Sequence, residues 1–374
     1  MSALAYSPMS IKVKVAKNLG QVQVSGLDLQ RTIHSQNDYR KYSGRKRIRF
    51  NCKRFTTNNE ANDTLKRPHL LASLSSPTGL ISLEKNKFQG KLHVVTNPES
   101  ESCDVINEIP LEYYISTLLA KEMNAKWPVE SLKAQAVAAR SYALHKIYSK
   151  QVKRSLGHEG YYDLESSEKH QVSGNFFDST KKTALASYKT KGEVLVTKEG
   201  KVVPVFFHAS CGGRTLRPDQ VWTNKVDGYK AVHCGACEDK NKWNGTISSK
   251  RLYKFLKWVE KKNYLDFKKD LTATNFRFLS SLESSNFVRV YVGDRPYKIK
   301  KAYFRRYFGR TIVDSNHFDF EYDFKKKVAK FKGQGLGHGV GMCQIGARRL
   351  AVKNLTYKQI LKHYFPDLKL VTLY

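Results

Sequence analysis

The hydrophobic pattern of this chain changes from a strand period to a helical period near residue 110, which limits the folds it can adopt. Residues 11–15 and 21–25 alternate apolar and polar side chains, and residues 91–96 form a further apolar run. Alternation with a period of two is typical of half-buried strands. From Leu111 onward, apolar residues instead recur every three or four positions, as they do along one face of a helix.

Two helices are predicted in succession after this change. The first spans residues 110–124 and begins at a proline, which suits the first position of a helix. The second spans residues 128–148 and is rich in alanine, a strong helix former. Strand patterns return at residues 192–208 and 287–292. The sequence therefore predicts an α+β fold, in which two central helices pack on a mixed or antiparallel sheet behind a β-rich N-terminal part.

Glu122 is the first candidate for chemistry. It follows Leu119 by three residues and Ile115 by seven, and helical spacing therefore places its carboxylate on the apolar stripe. Burial there would raise its pKa, and an acid that is still protonated near neutral pH can protonate a leaving oxygen. The alternative is a glutamate at a fraying helix end that reaches solvent or pairs with Lys121 or Lys126. Spacing alone favours this alternative.

A glycine-rich segment at residues 333–346 is the second candidate. Glycine occupies nearly every second position, which permits positive φ and a close approach of the backbone to a ligand. The spacing matches neither a dinucleotide-binding loop nor a phosphate loop. His338 stands between two glycines, which is consistent with a polar group that lines a groove and equally with a solvent-facing histidine in a structural turn.

Four residues form a possible ligand set for zinc. His208 and Cys211, and Cys234 and Cys237, are two pairs that are each separated by two residues, and such pairs fit a tetrahedral Cys3His zinc site. His233 is a competing ligand. The alternative is a disulfide among the three cysteines, which an oxidising compartment would favour. In either case we expect a structural role, because the protein would fill all four zinc positions.

The charge of the chain points to an anionic partner. Lys and Arg number 66 against 33 Asp and Glu, which gives a net charge of +33 and a long-range attraction to polyanions. Nucleic acid, an anionic cell-wall polymer and a membrane surface are the candidates. The usual nucleic-acid motifs are absent from the sequence, so specific nucleic-acid binding is not expected. Nor does any stretch approach the ~20 apolar residues of a transmembrane helix.

The N-terminal sequence lacks the charged and apolar regions of a signal peptide. Taken literally, this predicts a cytoplasmic protein. The alternative is that a signal peptide was removed and a start methionine added.

Several segments together resemble the sporulation protein D and amidase-enhancer LytB family. These segments occur in the family's order and cover most of the chain, and they are residues 111–123, Trp127-Pro128, residues 132–142, 170–174 and 207–215, Val221-Trp222, residues 335–342 and residues 344–347.

The resemblance implies an enzyme that cuts peptidoglycan glycan strands between N-acetylmuramic acid and N-acetylglucosamine. Glu122 matches the catalytic acid of the family, which reverses the preference given by spacing alone. Gln135, Arg140, His338 and Gln344 fall at motif positions that are expected to bind substrate or support the groove. Members are lytic transglycosylases, and no cofactor is expected for catalysis beyond a possible structural zinc.

A lytic transglycosylase needs only one carboxylate. Glu122 would protonate the glycosidic oxygen and then accept the proton of the muramic 6-hydroxyl as that hydroxyl attacks. Hydrolytic glycosidases usually use two carboxylates, and Asp163, Glu165 and Asp219 are candidates for a second one that would permit lysozyme-like hydrolysis. The substrate is expected to be modified glycan, either denuded or de-N-acetylated. The other function that the family suggests is non-catalytic enhancement of a cell-wall amidase.

The expected partners and domains follow from this resemblance. The partners are peptidoglycan glycan strands, with a cell-wall amidase or deacetylase acting upstream, and the location is extracytoplasmic, in the periplasm or cell wall. Residues 1–105 would form the β-rich part and residues 106–239 the catalytic core with the Glu122 helix and the Cys/His cluster. Residues 240–325 would form an insertion or docking lobe, and residues 326–374 would complete the core with the groove loop and a C-terminal helix.

Overall fold

The structure is a computed structural model, and it describes most of the chain. The described residues are 9–57, 68–151, 158–166, 178–222, 224–235, 237, 241–268, 270–281 and 285–374. The predicted motif at residues 170–174 lies outside them.

Runs of strands and runs of helices follow one another along the described ranges, which confirms the predicted α+β fold. The helices are α1 (Cys52–Thr57), α2 (Leu111–Glu122), α3 (Val129–Gln151), α4 (Lys181–Lys189), α5 (Pro218–Val221), α6 (Ser249–Lys261), α7 (Lys301–Phe308), α8 (Gln344–Val352) and α9 (Tyr357–Tyr364). The strands are β1 (Ser10–Leu19), β2 (Gln21–Leu27), β3 (Gln30–Ile33), β4 (Asp38–Lys41), β5 (Arg45–Asn51), β6 (Leu70–Ser75), β7 (Leu80–Leu83), β8 (Asn86–Gln89), β9 (Lys91–Asn97), β10 (Ser102–Pro110), β11 (Leu164–Glu165), β12 (Glu193–Val196), β13 (Phe207–His208), β14 (Lys242–Ser248), β15 (Phe276–Phe278), β16 (Phe287–Val292), β17 (Arg295–Lys300), β18 (Phe318–Asp323), β19 (Val328–Gln334), β20 (Met342–Cys343) and β21 (Lys369–Thr372).

The chain divides into two compact units. Unit 1 comprises the described residues as far as Leu195, together with Val202–Pro204 and Leu370–Tyr374. Unit 2 comprises Val196–Lys201 and the described residues of Val205–Lys369. The Glu122 helix therefore belongs to unit 1 and the cysteine cluster to unit 2. The four-segment division expected from the sequence stays a prediction.

Unit 1 contains two sheets that share one core. A seven-stranded sheet has the order β11-β1-β10-β9-β6-β3-β4, and a four-stranded sheet has the order β5-β2-β7-β8. Val22 and Val24 of β2 are fully buried in the same cluster as Leu92 and Val94 of β9, because the alternating apolar side chains of each sheet face the other sheet. A disulfide between Cys52 and Cys103 lies in this core.

The two predicted helices are present in unit 1. Helix α2 buries the whole predicted stripe, from Leu111 through Ile115 to Leu119. Pro110 is the N-cap of α2 rather than its first residue and still has extended backbone angles, because it ends strand β10. Helix α3 follows, and its alanines are fully buried; these small side chains let α2 and α4 pack closely against it.

Unit 2 is built around an aromatic core. Three-stranded sheets β14-β19-β18 and β15-β16-β17 enclose this core together with helices α6 and α7. Phe255 of α6 and Phe304 of α7 are fully buried, with ring centroids 4.4 Å apart. Helix α6 packs its apolar face on this core.

The strand expected over residues 192–208 is interrupted. Only β12 and β13 form within it, although Val203 and Val205 are buried. Pro204 lies between these two valines, and proline has no N–H with which to continue a strand ladder. None of the helices in the described ranges combines the length and apolar character that a membrane crossing requires.

Candidate functional site

Glu122 is the last residue of α2. The helix ends there because Met123 adopts an extended conformation, while its N–H still donates to the carbonyl of Leu119 at 2.9 Å. The Glu122 side chain is half-buried, whereas the stripe behind it is fully buried. Lys121, one of the pairing partners considered from the sequence, lies 3.1 Å from the Asp178 carboxylate. The carboxylate of Glu122 therefore sits at the edge of the apolar core of unit 1.

The buried Tyr114 lies in the electrostatic range of Glu122. Burial raises the pKa of Tyr114 well above its usual value, and the charges of Glu122 and Tyr142 raise it further. Burial also raises the pKa of Tyr142 to about 12. Both phenols therefore remain neutral at physiological pH, and Tyr114 can act near this carboxylate only as a hydrogen-bonding group.

Gln135 is fully buried on α3. Among the described residues neither its side-chain oxygen nor its side-chain nitrogen has a hydrogen-bond partner. A buried amide without partners is costly, and native proteins rarely keep one without a reason. Its full burial leaves no surface for a ligand in this conformation, so the substrate-binding role expected for Gln135 stays a prediction.

Arg140 holds the helices of unit 1 together. Its Nε and one terminal nitrogen donate to the two carboxylate oxygens of Glu112 at 2.8 and 2.6 Å. Its remaining donors reach the carbonyls of Glu193 and Ser187 at 3.1 and 3.2 Å. The guanidinium is 0% exposed, so it offers no surface to a glycan, and we assign Arg140 a supporting role instead of direct substrate binding.

The three candidates for a second carboxylate are all engaged by other groups. Asp163 is buried and accepts a hydrogen bond from the N–H of Lys12 at 2.9 Å, and Glu165 lies 3.1 Å from the ammonium of Lys17. In unit 2, the Arg217 guanidinium holds the pKa of Asp219 below its usual value. These contacts do not single out any of the three as a partner for Glu122.

The glycine-rich segment of unit 2 positions His338 and Gln344. Strand β20 pairs in parallel with β13, so that Phe207 lies opposite Met342 and His208 opposite Cys343. Gly341 precedes this pairing with a φ of +75°, and a Cβ there would lie 2.1 Å from the carbonyl oxygen of Phe206. Glycine is therefore required at this approach of two backbones. Gln344 is buried at the start of α8.

His338 faces an aromatic cluster. Its ring centroid lies 5.2 Å from that of Trp222, and Trp222 lies 4.7 Å from Phe206. Trp222 is 36% exposed, so the cluster presents an aromatic surface to solvent. Lys300 fixes this tryptophan, because its ammonium donates to the Trp222 carbonyl at 2.8 Å. Indole and imidazole rings held in this way can take up the apolar face of a flat ligand.

The hydrogen bonds of two histidines define their tautomers. The N–H of Val340 donates to Nδ1 of His338 at 3.0 Å, so Nε2 of the neutral ring carries the proton. Nδ1 of His208 lies 3.0 Å from the Val340 carbonyl and must donate to it, which leaves Nε2 as an acceptor. Burial lowers the pKa of His208 to about 4 and that of His338 well below its usual value. Both rings are therefore neutral at physiological pH.

Four free, buried cysteines meet in unit 2. Cys211, Cys234, Cys237 and Cys343 place their sulfurs within 4.8 Å of one another. His208 is not a member of this group of ligand atoms. The group therefore differs at one position from the ligand set expected from the sequence, since its fourth member is Cys343. Hydrogen bonds from the Cys211, Cys237 and Cys343 thiols lower the pKa of Cys234.

Sequence reasoning missed three features of these sites. Cys343 was not predicted as a member of the cysteine group, because it lies more than 100 residues from the other three cysteines in the sequence. Trp222 was noted only as part of a motif and not as an exposed ring beside His338. The disulfide between Cys52 and Cys103 had no signal, because nothing in the sequence shows that β2, α1 and β10 meet.

Known proteins resemble this chain over most of its length. The family model described as stage II sporulation protein (SpoIID) matches residues 99–197. An uncharacterized protein of Brachyspira hyodysenteriae is 31% identical over 289 residues, which are 76% of this chain and 72% of that protein. The stage II sporulation protein D of Bacillus subtilis is 26% identical over 70% of this chain and 74% of its own length. The amidase enhancer of the same organism is 25% identical over 79% of this chain, but only 46% of its own length is covered.

Proposed function

Because the chain belongs to the stage II sporulation protein D family, we propose that it acts on the cell wall and cleaves the glycan strands of peptidoglycan with Glu122 as its acid. The observation that carries this proposal is the position of Glu122. A half-buried carboxylate ends the helix that the family model covers, at the edge of an apolar core and in range of the neutral Tyr114.

The chemistry requires one group that gives and then takes a proton. Glu122 protonates the oxygen between muramic C1 and the neighbouring sugar, and the C1–O bond breaks as that oxygen leaves as a hydroxyl. The muramic 6-hydroxyl attacks C1, and its proton passes to the Glu122 carboxylate. The product carries a 1,6-anhydro end, and the acid is restored. Attack by water instead would give a reducing end, as in hydrolytic glycosidases.

The remaining side chains have binding and supporting roles in this proposal. Gln135 would reach the glycan only if its buried amide became accessible. Trp222 and His338 form a further surface for a sugar, since an exposed ring suits the apolar face of a pyranose. Arg140 holds the helices of unit 1 together, and Gln344 would support the glycine-rich segment of unit 2. The net charge of +33 favours an anionic glycan or an anionic surface, and we place the protein outside the cytoplasm.

Similarity to an amidase enhancer raises a second function, in which the protein stimulates a cell-wall amidase without cutting glycan. The two functions are separated by incubating purified peptidoglycan, native or stripped of stem peptides, with the protein alone and together with an amidase. We expect the protein alone to release soluble glycan, and Glu122→Gln to reduce the release at least about 100-fold.

The matched control is Glu130→Gln on the next helix, where the carboxylate pairs with Lys133 at 2.7 Å. This variant should retain its activity. Amidase stimulation that survives in Glu122→Gln, without glycan release by the wild type on any substrate, would overturn the proposal in favour of the enhancer.

A further inference from the structure

We propose that Cys211, Cys234, Cys237 and Cys343 bind one zinc ion as a structural site of four thiolates. The proposal concerns unit 2 alone and does not depend on glycan cleavage. It replaces the His208 ligand expected from the sequence with a cysteine that lies 106 residues from Cys237.

The sulfur positions fit a single tetrahedral ion. A zinc–sulfur bond of about 2.3 Å separates neighbouring sulfurs by about 3.8 Å in a tetrahedron. The sulfurs of Cys234 and Cys237 are 3.7 Å apart and those of Cys237 and Cys343 are 3.2 Å apart, and all four lie within 4.8 Å. Soft thiolates in this arrangement select zinc or iron, and a cluster of several irons would hold its cysteines further apart.

The backbone brings the four ligands together from three segments. The pairing of β13 with β20 sets Cys211 beside Cys343, and the N–H of Cys211 donates to the Cys343 sulfur at 3.3 Å. Cys234 and Cys237 follow the two-residue spacing of a zinc-binding turn. Gly235 between them has a φ of +58°, a conformation that glycine adopts without strain.

Groups around the cluster favour sulfur in its charged form. The N–H of Gly346 also donates to the Cys343 sulfur at 3.3 Å, and this sulfur caps the nine-residue helix α8. The Tyr364 hydroxyl lies 3.1 Å from the Cys234 sulfur and can donate to a thiolate. Donors of this kind orient metal ligands and stabilise their charge. A Cβ at Gly346 would lie 2.5 Å from the Cys234 sulfur, so glycine leaves room for the cluster.

The disulfide in unit 1 supplies an independent argument. A buried bond between Cys52 and Cys103 is typical of a protein that folds in an oxidising compartment. Four thiols within 4.8 Å would oxidise to disulfides there unless they were bound. A zinc ion explains how one pair of cysteines is oxidised while four remain free.

The first test uses the wild-type chain, exported and purified without added metal. We expect one zinc per chain by elemental analysis. We also expect four cysteines to react with an alkylating reagent only after the protein has been denatured in the presence of a chelator. Cobalt exchanged into the site should show the sulfur-to-metal absorption of four thiolates. Stoichiometric iron, no metal, or fewer than four free thiols would overturn the proposal.

Variants then identify the fourth ligand. In competition with a chelator, Cys343→Ser should bind zinc at least about tenfold more weakly than the wild type. His208→Gln should retain one zinc per chain. The opposite result would restore His208 as the ligand. If Cys343→Ser does not fold, the thiolate absorption of wild-type cobalt protein still distinguishes four thiolates from three. Glu122→Gln should bind zinc normally, so loss of glycan cleavage and loss of zinc are independent outcomes.

Discussion

The ion pair of Arg140 with Glu112 is the most heavily bonded charged pair on the helices of unit 1. Burial raises the pKa of Glu112, but the hydrogen bonds and charge of Arg140 outweigh burial and lower it overall. Removing one partner leaves the other charge desolvated, and such a change typically costs 3–5 kcal/mol. We predict that Arg140→Met lowers the free energy of unfolding by about 3 kcal/mol, measured by urea denaturation.

The control for this prediction is an exposed pair. Arg217 bonds to Asp219 at 3.0 Å but lies at the surface, where ion pairs contribute about 0–1 kcal/mol. Arg217→Met should therefore cost less than about 1 kcal/mol. An equal loss in both variants would contradict the supporting role assigned to Arg140.

His317 makes the stability of unit 2 depend on pH. Burial, with smaller effects from the charges of His208 and Lys301, lowers the pKa of His317 to about 4. The unfolded chain binds the proton more readily, so this contribution to stability is complete above pH ~6.5 and is lost progressively down to about pH 4.

We predict that the free energy of unfolding falls by up to about 3 kcal/mol over this pH range because of His317. The free energy of unfolding, obtained from denaturation curves at several pH values, should depend less steeply on pH in His317→Gln than in the wild type. His34→Gln is the control: His34 is exposed, and although partial burial lowers its pKa too, removing it should alter the pH dependence of stability less than His317→Gln does. If the free energy of unfolding depends on pH equally in the wild type and in His317→Gln, this account is contradicted.

At the scale of elements, the approach of β20 to the segment before β13 depends on Gly341. Both Gly341 and Gly309 have positive φ, at +75° and +72°, but only a Cβ at Gly341 would meet another atom. Gly309 combines this φ with a ψ of −177°, a region almost confined to glycine, so each alanine substitution should cost about 1–3 kcal/mol for its backbone conformation. Gly341→Ala should cost about 2 kcal/mol more, because the backbones must separate.

Thermal unfolding of the two variants checks this prediction. Gly309→Ala isolates the conformational cost, and the difference between the variants isolates the contact with Phe206. An equal loss of stability in Gly341→Ala and Gly309→Ala would mean that the two backbones do not approach as closely as the structure indicates.

Sequence patterns predicted the elements that are long enough to show a hydrophobic period. Helix α2 with its buried stripe and the alanine-rich α3 follow from the sequence pattern, and the expected C-terminal helix forms as α9, with a capping box at Thr356. Strands β13 and β20 contain two residues each, and two residues carry no period. Because their pairing sets Cys211 beside Cys343, the fourth cysteine could not be identified from spacing.

At the scale of the whole molecule, the disulfide between Cys52 and Cys103 restrains unit 1. It joins residues 51 apart, and the loss of entropy in an unfolded loop of this size corresponds to about 4 kcal/mol. We predict that Cys103→Ser together with Cys52→Ser lowers the free energy of unfolding by about 4 kcal/mol. Zinc content should stay unchanged, because the four cysteines proposed as ligands lie in unit 2.

Urea denaturation and elemental analysis of the double variant check this prediction together. A variant as stable as the wild type would mean that the disulfide does not form. Loss of zinc from the double variant would mean that the two groups of cysteines are not independent.

The central claim is that Glu122 is the acid of a glycan-cleaving enzyme, and mass spectrometry of the glycan ends tests it most directly. Purified peptidoglycan is treated with wild type, Glu122→Gln and the Glu130→Gln control. The account predicts new 1,6-anhydromuramic ends with wild type and Glu130→Gln, and none with Glu122→Gln. Reducing ends would contradict the transglycosylase chemistry, and the absence of any new ends with wild type would contradict glycan cleavage altogether.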